Sequence, residues 1–319
     1  RADALAATPS WQAVAMLLEA CRSAAPLLHA MHLALALAQQ LAGHAAPPCV
    51  LVVTCGALAC GSALSTAAHG GAWGFARVLR LEHPVLHTLS IEVSLQGKSI
   101  VVPLVLTAPA AEVEVAWCGE ARCAARLRAC SVGSHRDATL VRGVHAISGG
   151  LGGLGLSAAA HLLASGAAGV MLSSRSGHVG RDGQGLEAQL STLSTNALMA
   201  TSACDVRDAA DALVLLRYSC LSSVLHAAGV LRDKLLRFMF ASDLNASFAP
   251  KALAASHVHA TTACMLLEAL GLFSSVASTF GNVGQANYAA ANAHLDALAS
   301  CRRWHGCLAS SPQIPAVSG

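Results

Sequence analysis

The chain has 319 residues, of which 55% are hydrophobic and 12% are charged, and its formal net charge is +3. That length suffices for one large domain or two ordinary domains with buried cores. The few, scattered charges argue against nucleic acid as a partner, because phosphate binding needs clustered Lys and Arg.

The stretch between Ser23 and Ala76 contains no Asp, Glu, Lys or Arg, which raises the question of a membrane span. Histidines, glutamines and the pair Pro47 and Pro48 interrupt it, so that no window of about 20 apolar residues is left. We therefore predict buried helices and a strand here, and no membrane span.

The 12 cysteines include no CxxC pair, and Cys118 and Cys123, which come nearest to a ligand pair, are followed by no matching second pair. We interpret the cysteines as reduced, buried side chains and predict no metal site. The chain opens with Arg1 and shows no signal peptide. We therefore expect a segment of a longer cytoplasmic protein, with organellar import left open.

Apolar periodicity in the first half predicts alternating helices and strands. We expect two helices over residues 11–43 broken at Pro26, a buried strand over 49–54, a helix over 72–82, a strand over 89–95 and a hairpin over 112–127. The ionisable candidates of this half are assigned to solvated faces: Glu19, Glu82 and His83. A polar break at residues 131–142 predicts the boundary between a subdomain of residues 1–138 and one of residues 139–319.

The second half begins with a cofactor motif. A short strand over residues 144–147 leads into the turn SGGLGGLG (148–155), and a helix follows. Three of its glycines have the G-x-G-x-x-G spacing, which permits a tight turn and aims a helix N-terminus at a pyrophosphate. The cofactor-binding candidates of the turn are Gly150, Leu151, Gly152, Gly153, Leu154 and Gly155.

The following strands supply further cofactor candidates at their carboxyl ends. Ser174 ends the strand over residues 169–174, and Arg175 follows it directly. An arginine at this place suits the 2′-phosphate of NADPH, whereas a carboxylate would suit the ribose hydroxyls of NADH. Asp205 and Val206 end the next strand, where Asp205 can meet the adenine edge. After the fourth strand, three small residues allow the backbone to approach the cofactor ribose: Ala227, Ala228 and Gly229.

The stretch over residues 273–292 ends a strand, crosses a glycine-containing loop and enters a helix near Tyr288. Ser275 is expected at the strand's carboxyl end, and Asn292 on the same helical face as Tyr288. Lys251, at the entrance of an earlier helix, would stabilise the Tyr288 phenolate and could hold a nicotinamide ribose. A hydroxyl, a phenol and an amide in one crevice indicate proton donation to a carbonyl oxygen.

Together these residues resemble the ketoreductase domain of modular type I polyketide synthases, a branch of the short-chain dehydrogenase/reductase superfamily. The resemblance rests on SGGLGGLG (148–155), LSSRSG (172–177), CDV (204–206), HAAGVLRD (226–233), FAPK (248–251) and FSSVASTFGNVGQANYAAAN (273–292). It implies an α/β fold with two Rossmann-like subdomains. Residues 1–138 would form a truncated structural subdomain, and residues 139–319 an NADP-binding catalytic subdomain with a mainly parallel sheet.

The resemblance also implies a reaction and roles. NADPH would reduce a β-ketoacyl thioester on an acyl carrier protein to the β-hydroxyacyl thioester, beside other synthase domains of the same longer chain. Tyr288 would donate the proton, Ser275 would bind the substrate carbonyl, and Lys251 would tune Tyr288 and bind cofactor ribose. Asn292 would complete the proton relay. It stands four residues after Tyr288, where most of the superfamily carries the lysine.

Stereochemistry is predicted from the residues expected around the substrate. Residues 231–233 resemble the Leu-Asp-Asp motif of B-type members, with Asp233 retained and Arg232 as a departure. Phe280 stands where A-type members carry tryptophan, and Gln285 is a further stereocontrol candidate. We therefore predict a B-type enzyme that makes the D (3R) alcohol.

The end of the chain departs from the family pattern. Pro312 and Pro315 fit a central strand badly, so we expect the C-terminal end to be incomplete or divergent. The link from Asp205 to His226 is also short. This departure leaves open the alternative of a catalytically silent structural remnant within a megasynthase. A ketoreductase of fatty acid synthesis is a further alternative, which differs mainly in its neighbouring domains.

Overall fold

The computed structural model describes residues 12–18, 23–58, 66–93, 112–118, 121–129, 141–180, 185–194, 198–217 and 221–315. These residues form two five-stranded sheets and a two-stranded ladder, with helices against the sheets. The fold is α/β with mainly parallel strands, as predicted. Across the same ranges, no helix has the length and apolar character to cross a membrane, and no group of His, Cys, Asp or Glu side chains is arranged to hold a metal ion.

The first sheet has its strands in chain order. They are β1 (Ala13–Leu18), β2 (Cys49–Thr54), β3 (Leu89–Val93), β4 (Glu114–Cys118) and β5 (Ala121–Cys123). The strands β1 to β4 are parallel, and β5 turns back on β4 as the predicted hairpin. Among the described residues of this half, the α-helices are α1 (Leu28–Ala42) and α2 (Gly70–Glu82), and a short 3-10 helix, Pro84–Leu86, follows α2.

The helix predicted at the start of residues 11–43 is wrong. Residues of β1 pair in parallel with β2, Ala13 lying opposite Cys49 and Leu18 opposite Thr54. A short apolar run does not distinguish a helix from a strand by periodicity, and here pairing with a neighbouring strand decides. Only the second predicted helix forms, as α1, and it begins two residues after Pro26.

The second sheet has the strand order β10-β9-β6-β7-β8, and its strands are all parallel. They are β6 (Val144–Ser148), β7 (Gly169–Ser174), β8 (Leu198–Ala203), β9 (Leu221–His226) and β10 (Ala269–Leu272). The order reverses at β6, and ligands of such sheets bind outside the carboxyl ends of the strands at this reversal. The predicted boundary at residues 131–142 lies mostly outside the described residues.

The helices of the second half follow its strands. They are α3 (Gly153–Ala164), α4 (Leu186–Ser194), α5 (Ala209–Leu216), α6 (Ala241–Phe248), α7 (Ala254–Thr262), α8 (Ala277–Phe280) and α9 (Ala286–Trp304). A π-helical turn, Ala249–Leu253, joins α6 to α7. Pro250 has no N–H to donate one turn back, and Ala254 N instead donates to the Ala249 carbonyl five residues earlier.

Helix α2 joins the two halves by packing directly on α9. A Cβ at Gly71 would lie 3.2 Å from the Ala290 carbonyl oxygen, and a Cβ at Gly74 would collide with the Ala289 carbonyl. Glycine on one helix against alanine on the other therefore allows the two backbones to approach closely. This contact lies within the largest apolar cluster, which includes residues of both halves.

The C-terminal segment pairs with the second sheet, although its prolines predicted a divergent end. Strand β12 (Gln313–Ile314) is parallel to β11 (Ser274–Ser275), the two-residue strand that follows β10. The Pro312 carbonyl accepts from Ser274 N at 3.0 Å, and the Ser310 carbonyl accepts from Leu272 N at 2.8 Å. Proline lacks a donor but keeps its carbonyl, and it is tolerated at an edge for that reason.

A buried carboxylate at the carboxyl end of β3 hydrogen-bonds to the end of β2 and to the residues that follow β2. Glu92 is 3% exposed, and it accepts from Thr54 Oγ1 at 2.5 Å and from Gly56 N. Trp73 Nε1 donates to Thr54 Oγ1 at 3.0 Å. Burial raises the pKa of Glu92 from 4.5 to about 7, against the opposite effect of these hydrogen bonds.

The raised pKa of Glu92 predicts a pH-dependent stability. The folded state holds the Glu92 proton more tightly than the unfolded state does. This difference stabilises the fold fully below the unfolded-state pKa of 4.5, and the stabilisation is lost as pH rises through about 7. We expect the free energy of unfolding to fall between pH 5 and pH 8 by up to about 3 kcal/mol more in wild type than in Glu92→Gln. Urea unfolding across this range measures it.

The control for this experiment is Glu187→Gln, because Glu187 is exposed in the first turn of α4. The free energy of unfolding of Glu187→Gln should depend on pH in the same way as that of wild type. Equal slopes for wild type and Glu92→Gln would contradict the prediction.

Candidate active site

The glycine-rich turn joins the carboxyl end of β6 to α3. Gly150 N donates to the Ser173 carbonyl at 3.0 Å, and a Cβ at Gly155 would lie 2.6 Å from Gly150 Cα. Gly152 caps α3 from an exposed position, with no side-chain cap and no acidic residue in the first turn. The free N–H groups at this helix end therefore fit an anion such as a pyrophosphate. Of the other predicted residues in the turn, Leu151 is buried, and Gly153 and Leu154 are exposed.

The backbone after β9 lies against this turn. Ala227 N donates to the Ser148 carbonyl at 2.8 Å, and a Cβ at Gly149 would lie 2.5 Å from Ala228 N. The small residues predicted to approach a cofactor are therefore beside the glycine turn, at the reversal of strand order.

The ends of β7 and β8 bring Arg175 near Asp205. The Asp205 carboxylate accepts from Arg207 Nε at 2.8 and 2.9 Å. This hydrogen bonding, with a smaller effect of the Arg175 charge, holds the pKa of Asp205 below its usual range. The Asp205 carboxylate, predicted to meet an adenine edge, is thus paired with Arg207, while Val206 is buried.

Arg207 is not among the predicted site residues. A second cation close after Asp205 was the signal that could have found it. Because Arg175 and Arg207 are both exposed, both guanidinium groups are accessible at this end of the sheet.

Lys251 lies in the π-helical turn and is only 4% exposed. Its Nζ donates to the Phe273 carbonyl at 2.8 Å and lies 5.4 Å from the centroid of the Tyr288 ring. Gly229 leaves room for it, since a Cβ there would lie 2.8 Å from Lys251 Cε. Burial lowers the pKa of Lys251 to about 8, against a smaller opposite effect of the Asp296 charge. The structure thus brings the predicted lysine and tyrosine together.

His226 is a fully buried residue next to Lys251 that sequence reasoning did not assign to the site. Its Nε2 lies 3.1 Å from the Lys251 carbonyl, which can only accept, so Nε2 is the donor. Its Nδ1 then accepts from Ser148 Oγ at 2.7 Å. Burial, and next the Lys251 charge, lower the pKa of His226 to about 4, which keeps the ring neutral at pH 7. A neutral histidine thus links the strand before the glycine turn to the turn that carries Lys251.

Ser275, Tyr288 and Asn292 lie where β11 ends and α9 begins. Ser275 Oγ accepts from Ala277 N at 3.2 Å, and Tyr288 is half-buried in the first turn of α9. Asn292 is fully buried, and its Nδ2 donates to the Tyr288 carbonyl at 2.9 Å. The amide therefore contacts the backbone of Tyr288, and its Oδ1 has no hydrogen-bond partner in the part of the chain that the structure describes. Such a buried oxygen is an acceptor for a bound water or a cation.

The predicted stereocontrol residues separate into a pair and an isolated position. Gln285 Nε2 donates to Asp233 Oδ2 at 3.0 Å, which joins the loop after β9 to the loop before α9. Phe280, at the end of α8, is 58% exposed. The roles of all three residues stay predictions.

The parallel sheet, with its glycine turn at the reversal of strand order, defines a short-chain dehydrogenase/reductase fold. The family model named "KR domain" matches residues 143–319, which is more than half of the chain. The chain therefore belongs to the ketoreductase domains of polyketide synthases, which are oxidoreductases of this superfamily.

Solved structures and curated proteins agree with this membership. A structure described as A-type ketoreductases from a modular polyketide synthase has a TM-score of 0.78 and 34% identity, covering 89% of this chain and 61% of the other. The first ketoreductase of the tylosin synthase has a TM-score of 0.79 and 30% identity, covering 93% and 65%.

The curated relatives are much longer than this chain. A phenolphthiocerol/phthiocerol polyketide synthase protein of Mycobacterium tuberculosis is 35% identical over 252 residues, which is 73% of this chain and 13% of the relative. Spectinabilin polyketide synthase system protein NorB of Streptomyces orinoci is 41% identical over 170 residues, which is 52% of this chain and 8% of the relative. The chain thus spans a small part of each.

The low pKa of Lys251 predicts that its ammonium group titrates at about pH 8. The chain contains three lysines, Lys98, Lys234 and Lys251, so ¹⁵N labelling of lysine side chains gives few signals. Lys251→Met identifies the signal of Lys251 by its loss, and the other two lysines serve as internal references. A midpoint near 10.4, the value of an exposed lysine, would contradict the burial of this group.

Proposed function

We propose that this chain is an NADPH-dependent reductase of a β-ketoacyl thioester carried on an acyl carrier protein. The product is the β-hydroxyacyl thioester of polyketide biosynthesis, with fatty acid synthesis as the related alternative. The observation that carries the proposal is the buried Lys251 ammonium group, which lies 5.4 Å from the centroid of the Tyr288 ring and packs against Gly229. Membership of the ketoreductase family supports the reduction of a β-keto group.

Tyr288 is the proposed proton donor to the carbonyl oxygen of the substrate, and Ser275 hydrogen-bonds the same oxygen. As the proton leaves, negative charge develops on the phenol oxygen. The Lys251 ammonium group stabilises this charge strongly because its surroundings exclude water. The buried Oδ1 of Asn292, which has no partner among the described residues, accepts from a water molecule in the relay that returns the proton.

The residues present fit a dinucleotide. The N-terminus of α3 at Gly152 would hold the pyrophosphate, and Lys251 would hold the nicotinamide ribose through its remaining donors. Arg175, with Arg207 nearby, would pair with the 2′-phosphate. Bound NADPH supplies the hydride, and the chain supplies binding, orientation and the proton.

The choice of NADPH is tested at Arg175. In Arg175→Ala, we expect the affinity for NADPH to fall about tenfold or more, because a charge-assisted hydrogen bond to phosphate is lost, while the affinity for NADH stays unchanged. Fluorescence titration with each cofactor measures both values. Arg217→Ala, an exposed arginine at the end of α5, is the control. An equal loss of affinity for NADPH and NADH, or no loss of affinity for NADPH, would contradict the assignment of Arg175 to the 2′-phosphate.

Catalysis is tested at Tyr288. With a β-ketohexanoyl N-acetylcysteamine thioester as substrate, we expect Tyr288→Phe to lower the rate of NADPH oxidation by about 100-fold or more, since a general acid contributes this much. Tyr218→Phe, at the chain's other tyrosine, is the matched control. If wild type does not bind NADPH and its turnover does not exceed that of Tyr288→Phe, the proposal of an active enzyme is rejected.

That negative result would favour the alternative, a catalytically silent remnant within a megasynthase. The reason for this alternative was the expected damage at the C-terminal end. Pairing of residues 310–314 with β10 and β11 weakens that reason, because Ser275 keeps its neighbouring strand. The positions of Lys251, Tyr288 and Asn292 support an active enzyme.

The proposed product is the D (3R) alcohol of B-type members. The support is Asp233, retained from the family motif and hydrogen-bonded to Gln285, together with Phe280 in place of the A-type tryptophan. The proposed partners are an acyl carrier protein and neighbouring synthase domains, and the support is the length of the curated relatives.

A further inference from the structure

Two loops of the second half flank the first turn of α9. We name them the Asp233 loop (residues 230–236) and the Gln285 loop (residues 281–285). Lys234 N donates to the Gly284 carbonyl at 2.7 Å, and Gln285 Nε2 donates to Asp233 Oδ2 at 3.0 Å. The stereocontrol candidates therefore depend on how these loops lie relative to each other.

Glu82, from the first half of the chain, binds both loops at once. Its Oε1 accepts from Gly284 N at 2.8 Å, and its Oε2 accepts from Leu236 N at 2.6 Å. A carboxylate has no donor of its own and two equivalent acceptor oxygens, so each oxygen satisfies one backbone N–H. The sequence predicts Glu82 on a solvated face, and the structure shows instead a half-buried side chain between two loops.

The position of Glu82 in its helix points to a role outside the helix. It is the last residue of α2, where the helix dipole disfavours a negative charge. The two hydrogen bonds to the loops of the other half offset this cost.

Helix α2 gives Glu82 a rigid support. The helix packs closely on α9, which carries Tyr288 in its first turn, so the helix that holds Glu82 is in direct contact with the helix that holds the phenol. Gln39 of α1 adds a second contact from the first half, because its Nε2 donates to the carbonyls of Leu236 and Met239 at 2.8 Å each.

We propose that Glu82 is a positioning residue for stereoselectivity, which holds the Asp233 loop and the Gln285 loop in the arrangement that orients the substrate carbonyl. This inference rests on the proposed function, and it assigns part of the selectivity to the first half of the chain. Loss of either hydrogen bond frees one loop and lets the substrate bind in both orientations.

The test is Glu82→Gln, which keeps the size of the side chain and leaves only one oxygen to accept. We expect wild type to give mainly the D product from β-ketohexanoyl N-acetylcysteamine thioester, and the ratio of D to L product to fall about tenfold in the variant. Chiral chromatography measures the ratio, and thermal unfolding is followed in parallel. Glu82→Asp, which is too short to reach both loops, is the second variant.

The control is Glu187→Gln on the surface of α4, which should leave the ratio unchanged. A lower unfolding temperature with an unchanged product ratio would show a purely structural role and overturn the proposal. An L product from wild type would overturn the B-type assignment alone, since the shift in ratio still tests Glu82.

A second readout does not need turnover. We expect amide hydrogen exchange at Leu236 and Gly284 to become faster in Glu82→Gln and to stay the same in Glu187→Gln. If wild type shows no reduction at all, the proposed function fails, and the exchange rates still decide whether Glu82 holds the loops. Unchanged exchange at both amides overturns the inference.

Discussion

The close packing of α2 on α9 is the contact on which the site depends. Glycine on α2 faces alanine on α9, and a side chain at Gly70 or Gly74 would collide with the opposite helix. Because α9 carries Tyr288 in its first turn and α2 carries Glu82 in its last, this contact fixes the first half of the chain against the helix that carries the candidate proton donor. The first sheet contacts α2 through Trp73, which donates to Thr54 at the end of β2, and the Glu92 carboxylate binds Thr54 and Gly56 at the same end of the sheet.

A buried ammonium group is the main electrostatic feature of the site. Burial disfavours the charged form of Lys251, and the Phe273 carbonyl and the Asp296 charge partly offset this cost. His226 binds the carbonyl of the same residue and stays neutral at pH 7, so it orients the turn without adding a second positive charge. The same dry surroundings strengthen the interaction of Lys251 with any negative charge on the phenol.

Local patterns sufficed where the chemistry is local. The glycine turn, the strand over residues 49–54 and the helix start near Tyr288 follow from spacing and apolar runs, because these reflect short-range geometry. The first strand and the last strand were not predictable in this way. Residues 13–18 become a strand only because β2 lies beside them, and residues 310–314 pair only because β10 and β11 offer an open edge.

The sequence by itself determined the α/β class, the family and the candidates for cofactor and proton transfer, because each depends on residue types at short spacing. Only the tertiary structure decided that Asp205 is paired with Arg207, that His226 holds the turn of Lys251, and that Glu82 joins two loops. Glu82 is more than 150 residues from both of its partners along the chain. Contacts over such separations leave no periodic pattern, so folding alone brings these residues together.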